Sequence, residues 1–201
     1  KELANFMGQM AHESANFTQL KEGLSYSTAS RIKSTWPRNK ELNRLSPDQV
    51  EGLVRNPEGL ANVVYANRMG NTEPGDGYKY RGRGFTQLTG KYDYARCGKA
   101  IGVDLVNNPD LAADPAIAAK VALWYWKDRV QSKGAGEDVA RAGLIINGGT
   151  NGAADRVKKA AEWEAKIKAG EGGVGGAGQL PTQTAANDPS ALPEPLKSVP
   201  N

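Results

Sequence analysis

A mainly α-helical domain of two lobes, interrupted by one small glycine-rich, β-like excursion, is the fold class the sequence predicts. Three observations carry it. Leu3, Phe6, Met7, Met10 and Ala11 recur at the i, i+3, i+4, i+7, i+8 spacing of an amphipathic helix. Capping residues stand directly before proline at Ser46-Pro47 and Asp114-Pro115, the pattern of helix N-termini. Between positions 70 and 90 the chain instead carries six glycines, a density unsuited to any helix interior.

The first helix is predicted from Leu3 until the turn chemistry of Ser14, Asn16 and Thr18 ends it. A short helical or irregular stretch follows, stopped by Pro37, with Trp36 in the core or on a cleft rim. One helix opens at Ser46-Pro47-Asp48, and Asn56-Pro57 closes it and starts another over 57–69, whose Leu60, Val63, Val64 and Ala66 face inward. The glycine-rich stretch is expected to be a small β-hairpin or extended loop, since glycine at this density marks tight turns or close backbone approach. Tyr78, Tyr80, Phe85, Tyr92 and Tyr94 alternate there with Arg81, Arg83 and Lys91, which concentrates ring faces and donors on one wall of a cleft. From Ile101 the chain turns helical again. A helix over 115–129 supplies Ile117, Val121, Leu123, Trp124 and Tyr125 to the core, with Trp124 and Trp126 read as packing. Two more helices follow, over 136–146 and 151–169, ended by Asn147-Gly148-Gly149 and by Gly170.

Residues 1–169 are therefore read as one domain and 170–201 as a flexible glycine- and proline-rich tail, too poor in apolar residues to offset its ordering entropy. The chain is +4 overall; Glu171, Asp188, Glu194 and Lys197 give the tail −2, which leaves +6 on the domain. Such a balance suits an anionic polymer, either a bacterial wall or nucleic acid. No Lys/Arg run is interleaved with stacking aromatics, so no nucleic-acid groove is expected. Cys97 is the single cysteine and His12 the single histidine. That excludes an intrachain disulfide and a cysteine-built metal site, and Cys97 is read as an apolar filler. No metal or cofactor is expected. No apolar run of 18 residues suggests a membrane span.

Two acids stand out. Glu13 falls about 80–90° from the centre of the first helix's apolar stripe, which places it at the edge of the buried face. Partial desolvation there would raise its pKa and suit a proton donor. Glu22 precedes Gly23 beyond the helix end, and is expected to be the more hydrated of the two. Unequal carboxylates across one cleft are what cleavage of a glycosidic bond requires. The pair alone fits equally a helix-surface acid and a loop charge.

Three blocks taken together resemble glycoside hydrolase family 19, the plant-type chitinases and related phage endolysins. They are AHES with the later KEGLSYS; YRGRGFTQLTGKYDY followed by GKAIGVDLVNNPDLAADPAIAAKVALWYW; and INGGTNG. The resemblance implies a lysozyme-like α+β fold, mainly helical, and inverting cleavage of β-1,4 bonds next to N-acetylated amino sugars. It matches Glu13 to the general acid, Glu22 to the general base and Thr89 to the hydroxyl that helps hold the attacking water. Gln87, Tyr92 and Asn147 match substrate contacts, while His12 and Arg83, with Tyr80 of the same wall, are expected to support the substrate. Asp93 stands where many chitinases have asparagine, so an amide donor has become an acceptor. With the short Glu13 to Glu22 connection and the missing disulfides, this favours peptidoglycan over chitin. A monomeric enzyme is expected, made in a bacterial host cytoplasm and acting on the wall or periplasm, or secreted; no signal peptide is visible in the sequence. A chitinase and a glycan-binding module without turnover are the competing expectations.

Overall fold

The structure is a computed structural model that describes residues 1–170; the predicted tail, Gly170 apart, lies outside the described residues. Ten α-helices are described. They are α1 (Glu2–Glu13), α2 (Ala29–Thr35), α3 (Lys40–Asn43), α4 (Pro47–Glu51), α5 (Pro57–Val64), α6 (Asp76–Lys79), α7 (Lys91–Ile101), α8 (Pro115–Tyr125), α9 (Val139–Asn147) and α10 (Ala153–Lys168). A π turn, Trp126–Val130, continues α8, and 3-10 turns cover Pro109–Ala113 and Gln131–Lys133.

The predicted helix starts follow from local capping. Ser46 and Gln49 close a capping box on α4, Asn56 accepts from Gly59 N at the start of α5, and Asp114 accepts from Ala116 N and Ile117 N at α8. The mainly helical fold class holds. Among the described residues the glycine-rich excursion forms no strand, only isolated antiparallel bridges, Lys21 to Arg83, Arg68 to Asn71 and Arg83 to Leu88.

Three expectations are corrected. The helix predicted over 57–69 ends at Val64, because Asn67 and Met69 take φ of +55° and +54°. Lys91–Ile101 is helical where an extended wall was expected; Gly90, at φ +90°, turns the chain into it. The buried face of α1 also departs from the apolar stripe, keeping Met10 and Ala11 but leaving Leu3 out and adding polar residues. Leu3 is 53% exposed, whereas Asn5, Gly8, Gln9 and Glu13 are buried with Ala4, Met10 and Ala11. The cause is close packing on α10. A Cβ on Gly8 would stand 2.6 Å from the Ala160 nitrogen, so the two backbones meet there. The polar residues on that face are satisfied: Asn5 donates to the Gly136 carbonyl at 2.8 Å and Gln9 to the Val139 carbonyl at 3.0 Å.

The two lobes have separate cores. Ile32, Trp36, Leu42, Val50, Leu60, Val64 and Tyr65 form one. The other side holds two clusters, one of Met10, Trp126, Val130 and Ile146 and one of Tyr80, Tyr94, Leu105 and Val121.

Candidate active site

A cleft of about 890 Å³ runs between the lobes, and both Glu13 and Glu22 line it. Trp36 and Tyr65 come to it from the first core, Ile146 from the second.

Glu13 is the last residue of α1. Beyond it Ser14 Oγ donates to the Met10 carbonyl at 2.6 Å and accepts from Phe17 N at 2.9 Å. Ala15, Asn16 and Phe17 then take three successive positive φ angles, +49°, +57° and +66°. Left-handed non-glycine residues cost on the order of 1–3 kcal/mol each, and they persist where the surroundings fix them. This strained reversal leads the chain from Glu13 toward Glu22. The Glu13 side chain is buried and pairs with Arg156 Nη2, whose other terminal nitrogen donates to Gln9 Oε1 at 2.6 Å. Glu13 is therefore fixed by a buried guanidinium, not perched on the shoulder of an apolar stripe.

Glu22 is tied to the opposite wall. Its backbone N donates to the Gly82 carbonyl at 2.9 Å, its Oε2 accepts from Gly82 N at 3.0 Å, and its Oε1 accepts from the Tyr65 hydroxyl. Gly82 leaves room for this approach, since a Cβ would lie 2.9 Å from Gln87 Oε1 and 3.1 Å from Glu22 Oε2 and would push both side chains aside. Burial raises the Glu22 pKa above its usual range, against the lowering effect of Tyr65, Gly82 and Arg81. Glu22 is half-buried where Glu13 is buried, so it is the more exposed of the two, as expected, although Tyr65 and Gly82 hold it to the wall. Burial and the adjacent carboxylate push the Tyr65 phenol well above its ordinary value, which keeps it a donor.

Gln87 and Thr89 line the same cleft. Gln87, at φ +52°, donates to the Gly84 carbonyl at 2.9 Å, and Thr89 Oγ1 donates to the Gln87 carbonyl at 2.7 Å. The structure brings these two together with both glutamates, and leaves the other expected contacts elsewhere. Tyr80 is buried in the core against Tyr94, its hydroxyl on the Val106 carbonyl. Arg83 is 2% exposed and holds the Lys79 carbonyl, the Tyr94 hydroxyl and Asp110. Substrate contact is corrected to a structural role for both. His12 is bound to Asp155 at 2.6 Å and packs on Gly152. Tyr92 is 61% exposed and stacks with Arg96, and Asn147 is the last residue of α9, its amide 3.5 Å from the Asn151 carbonyl. None of these three lines the cleft.

Sequence reasoning missed Arg156 and Tyr65. Arg156 sits in a charged helix with nothing local to mark it as buried, and Tyr65 was hidden inside the overlong helix predicted over 57–69. No group of three or more metal-ligating side chains is present among the described residues.

The chain matches, over residues 52–168, the family profile described as chitinase class I, glycoside hydrolase family 19. It is 39% identical over 160 residues to a glycosyl hydrolase family 19 domain-containing protein of Haemophilus influenzae, covering 77% of this chain and 74% of that one. To an endochitinase of Solanum tuberosum it is 32% identical over 161 residues, 67% of this chain but 49% of the relative. Endochitinase A2 of Pisum sativum is 48% identical over 81 residues, of which the match covers 24% of the relative. The chain thus spans half or less of these two plant relatives. In fold it is similar to the class IV chitinase of Zea mays, with a TM-score of 0.51 at 20% identity over 83% of this chain and 68% of that one. A crystal structure of a chitinase C variant gives 0.53 at 21% identity over 83% and 72%.

Proposed function

The chain belongs to glycoside hydrolase family 19, and from that premise we propose that it is an endolysin-type enzyme that cleaves β-1,4 bonds of bacterial peptidoglycan with inversion. The observation that carries this reading is that two carboxylates, one from a helix end and one from the loop after it, line a single cleft.

Glu13 gives its proton to the leaving glycosidic oxygen. Glu22 takes a proton from a water that attacks the anomeric carbon from the opposite face, which demands carboxyls about 6.5–9.5 Å apart. The raised pKa makes Glu22 a stronger base once ionised. Arg156 holds Glu13 through Oε1, which leaves the other carboxyl oxygen to carry the proton, and Thr89 and Gln87 bound the space for water and sugar. The enzyme works as a monomer, made in a bacterial host and acting on the wall.

The test is clearing of a cell-wall suspension by Glu13→Gln and Glu22→Gln. Each variant folds and fails to clear; wild-type clearing by either disposes of the pair. A chitinase is the second reading, favoured by the plant relatives named endochitinases. Asp93 in place of an amide and the +6 domain favour the wall polymer. Reducing ends released from chitin and from purified sacculi, with mass spectrometry of the new terminus, separate the two.

A further inference from the structure

Asp93, Tyr125, Arg129 and Lys133 line the cleft, and the charges of Arg129, Glu13 and Asp93 all act on the Tyr125 phenol, which places these groups together at one end. Arg129 Nη2 donates to both Asp93 oxygens, at 3.3 and 3.1 Å, and Arg96 Nη1 lies 3.4 Å from Asp93 Oδ1. Asp128 closes the ring, accepting from Arg96 Nη2 at 2.9 Å and from Arg129 Nε at 3.0 Å. Arg96 is itself held over the rings of Tyr92 and Trp124, each 5.4 Å away. Two arginines thus cancel two aspartates, and Asp93 offers the cleft no bare negative charge. Arg129 Nη1 takes part in none of these bonds, and its side chain is 33% exposed. Lys133, exposed on the same rim, has no ion-pair partner among the described residues. The π turn Trp126–Val130 supplies Arg129; such turns shift side chains out of the preceding helix's register and recur at functional sites.

Where the resemblance implies an amide for a neutral sugar, the chain therefore carries a braced guanidinium with a spare donor edge, and an ammonium without an ion-pair partner among the described residues lines the same cleft. We propose that this end of the cleft is a subsite for a carboxylate borne by the glycan, bound by Arg129 with Lys133, and that Asp93 and Asp128 are the brace that aims Arg129. The inference rests on the reading of the cleft as a glycan-cleaving site, and specifies which glycan it selects. The carboxylate can belong to the sugar's own acid ether or to an attached peptide.

Calorimetric titration of wild type and Arg129→Gln tests this with three probes of equal length. They are neutral N-acetylglucosamine oligomers, peptide-free wall strands whose ether acids are free, and wall strands that keep their peptides. Wild type binds an acid-bearing strand more tightly than the neutral oligomer. Arg129→Gln loses about tenfold or more on that strand, the scale of a hydrogen bond to a charged group, with no change on the neutral oligomer. A loss confined to peptide-free strands names the ether acid; one confined to peptide-bearing strands names the peptide. Arg129→Lys recovers only part of the affinity, since an ammonium keeps the charge without the planar fork. Equal weakening on all three probes, or none on either acid-bearing strand, overturns the subsite. Turnover with charge-blind binding sinks the subsite alone, whereas charge-selective binding without turnover on any glycan sinks the cleavage reading and leaves the subsite standing. In Arg129→Gln, Arg96 still pairs with both aspartates, and circular dichroism verifies the fold.

Discussion

Tyr65, immediately after α5, donates its hydroxyl to the Glu22 carboxylate, so one lobe of the molecule holds a charge carried on the loop after α1. Burial raises the Glu22 pKa and this bond opposes the rise. Tyr65→Phe removes the opposing contact, so the Glu22 pKa goes higher still. The acidic limb of kcat/KM, which requires an ionised base, shifts to higher pH in the variant. A pH profile whose acidic limb stays in place refutes the assignment of Glu22 as base.

The same shift has a stability consequence. A carboxyl with a raised folded-state pKa contributes stability that is fully present below the unfolded value and is lost as pH rises through the folded value. Glu22→Gln is therefore expected to be more stable than wild type near neutral pH, and the difference shrinks on acidification below the ordinary carboxylate range. Chemical denaturation at several pH values measures it. A variant less stable at neutral pH than at acid pH, relative to wild type, contradicts the burial cost.

Glu13→Gln and Glu22→Gln are each expected to lose on the order of 10²–10⁴ in rate, the usual worth of general acid or base assistance. Wall-degradation kinetics at fixed substrate provide the reading, with thermal unfolding as the control for fold.

Arg156 and Glu13 are buried together, with side-chain exposures of 3% and 5%. Removing one member leaves the other buried without its partner, which costs about 3–5 kcal/mol. Arg156→Gln should lose stability on that scale, and the double variant Arg156→Gln, Glu13→Gln should regain part of it. A double-mutant cycle with no coupling would mean the pair is not buried as described.

The contact between α1 and α10 leaves no room at Gly8, where a Cβ would sit 2.6 Å from the Ala160 nitrogen. Gly8→Ala is expected to cost about 1–3 kcal/mol by overpacking, and to displace Glu13 with the helix that carries it. Tm and activity should fall together.

What the sequence determined by itself is what lies within three or four residues of its cause. Ser46 and Asp114 start the helices they were expected to start, because a cap and the amide it satisfies are neighbours in the chain. The glycine-rich stretch was legible as a wall, and Gly82 shows what the missing side chain leaves room for there. Glu13 and Glu22 stood out as an unequal acid pair, Gln87 and Thr89 were legible only through the quoted motifs, and the chain path alone brings all four to one cleft. Tertiary structure decided the rest. The partner of Glu13 is 143 residues away and that of Glu22 is 43 away, separations at which no periodicity carries information. Hydrophobic spacing sorts residues as apolar or polar, so it placed Leu3 on the buried face, where the fold leaves it exposed and buries Asn5 and Gln9 instead. The physical reason is that a polar side chain is buried at little cost once every donor and acceptor near it is met, and those partners are chosen by chain closure rather than by neighbours in sequence.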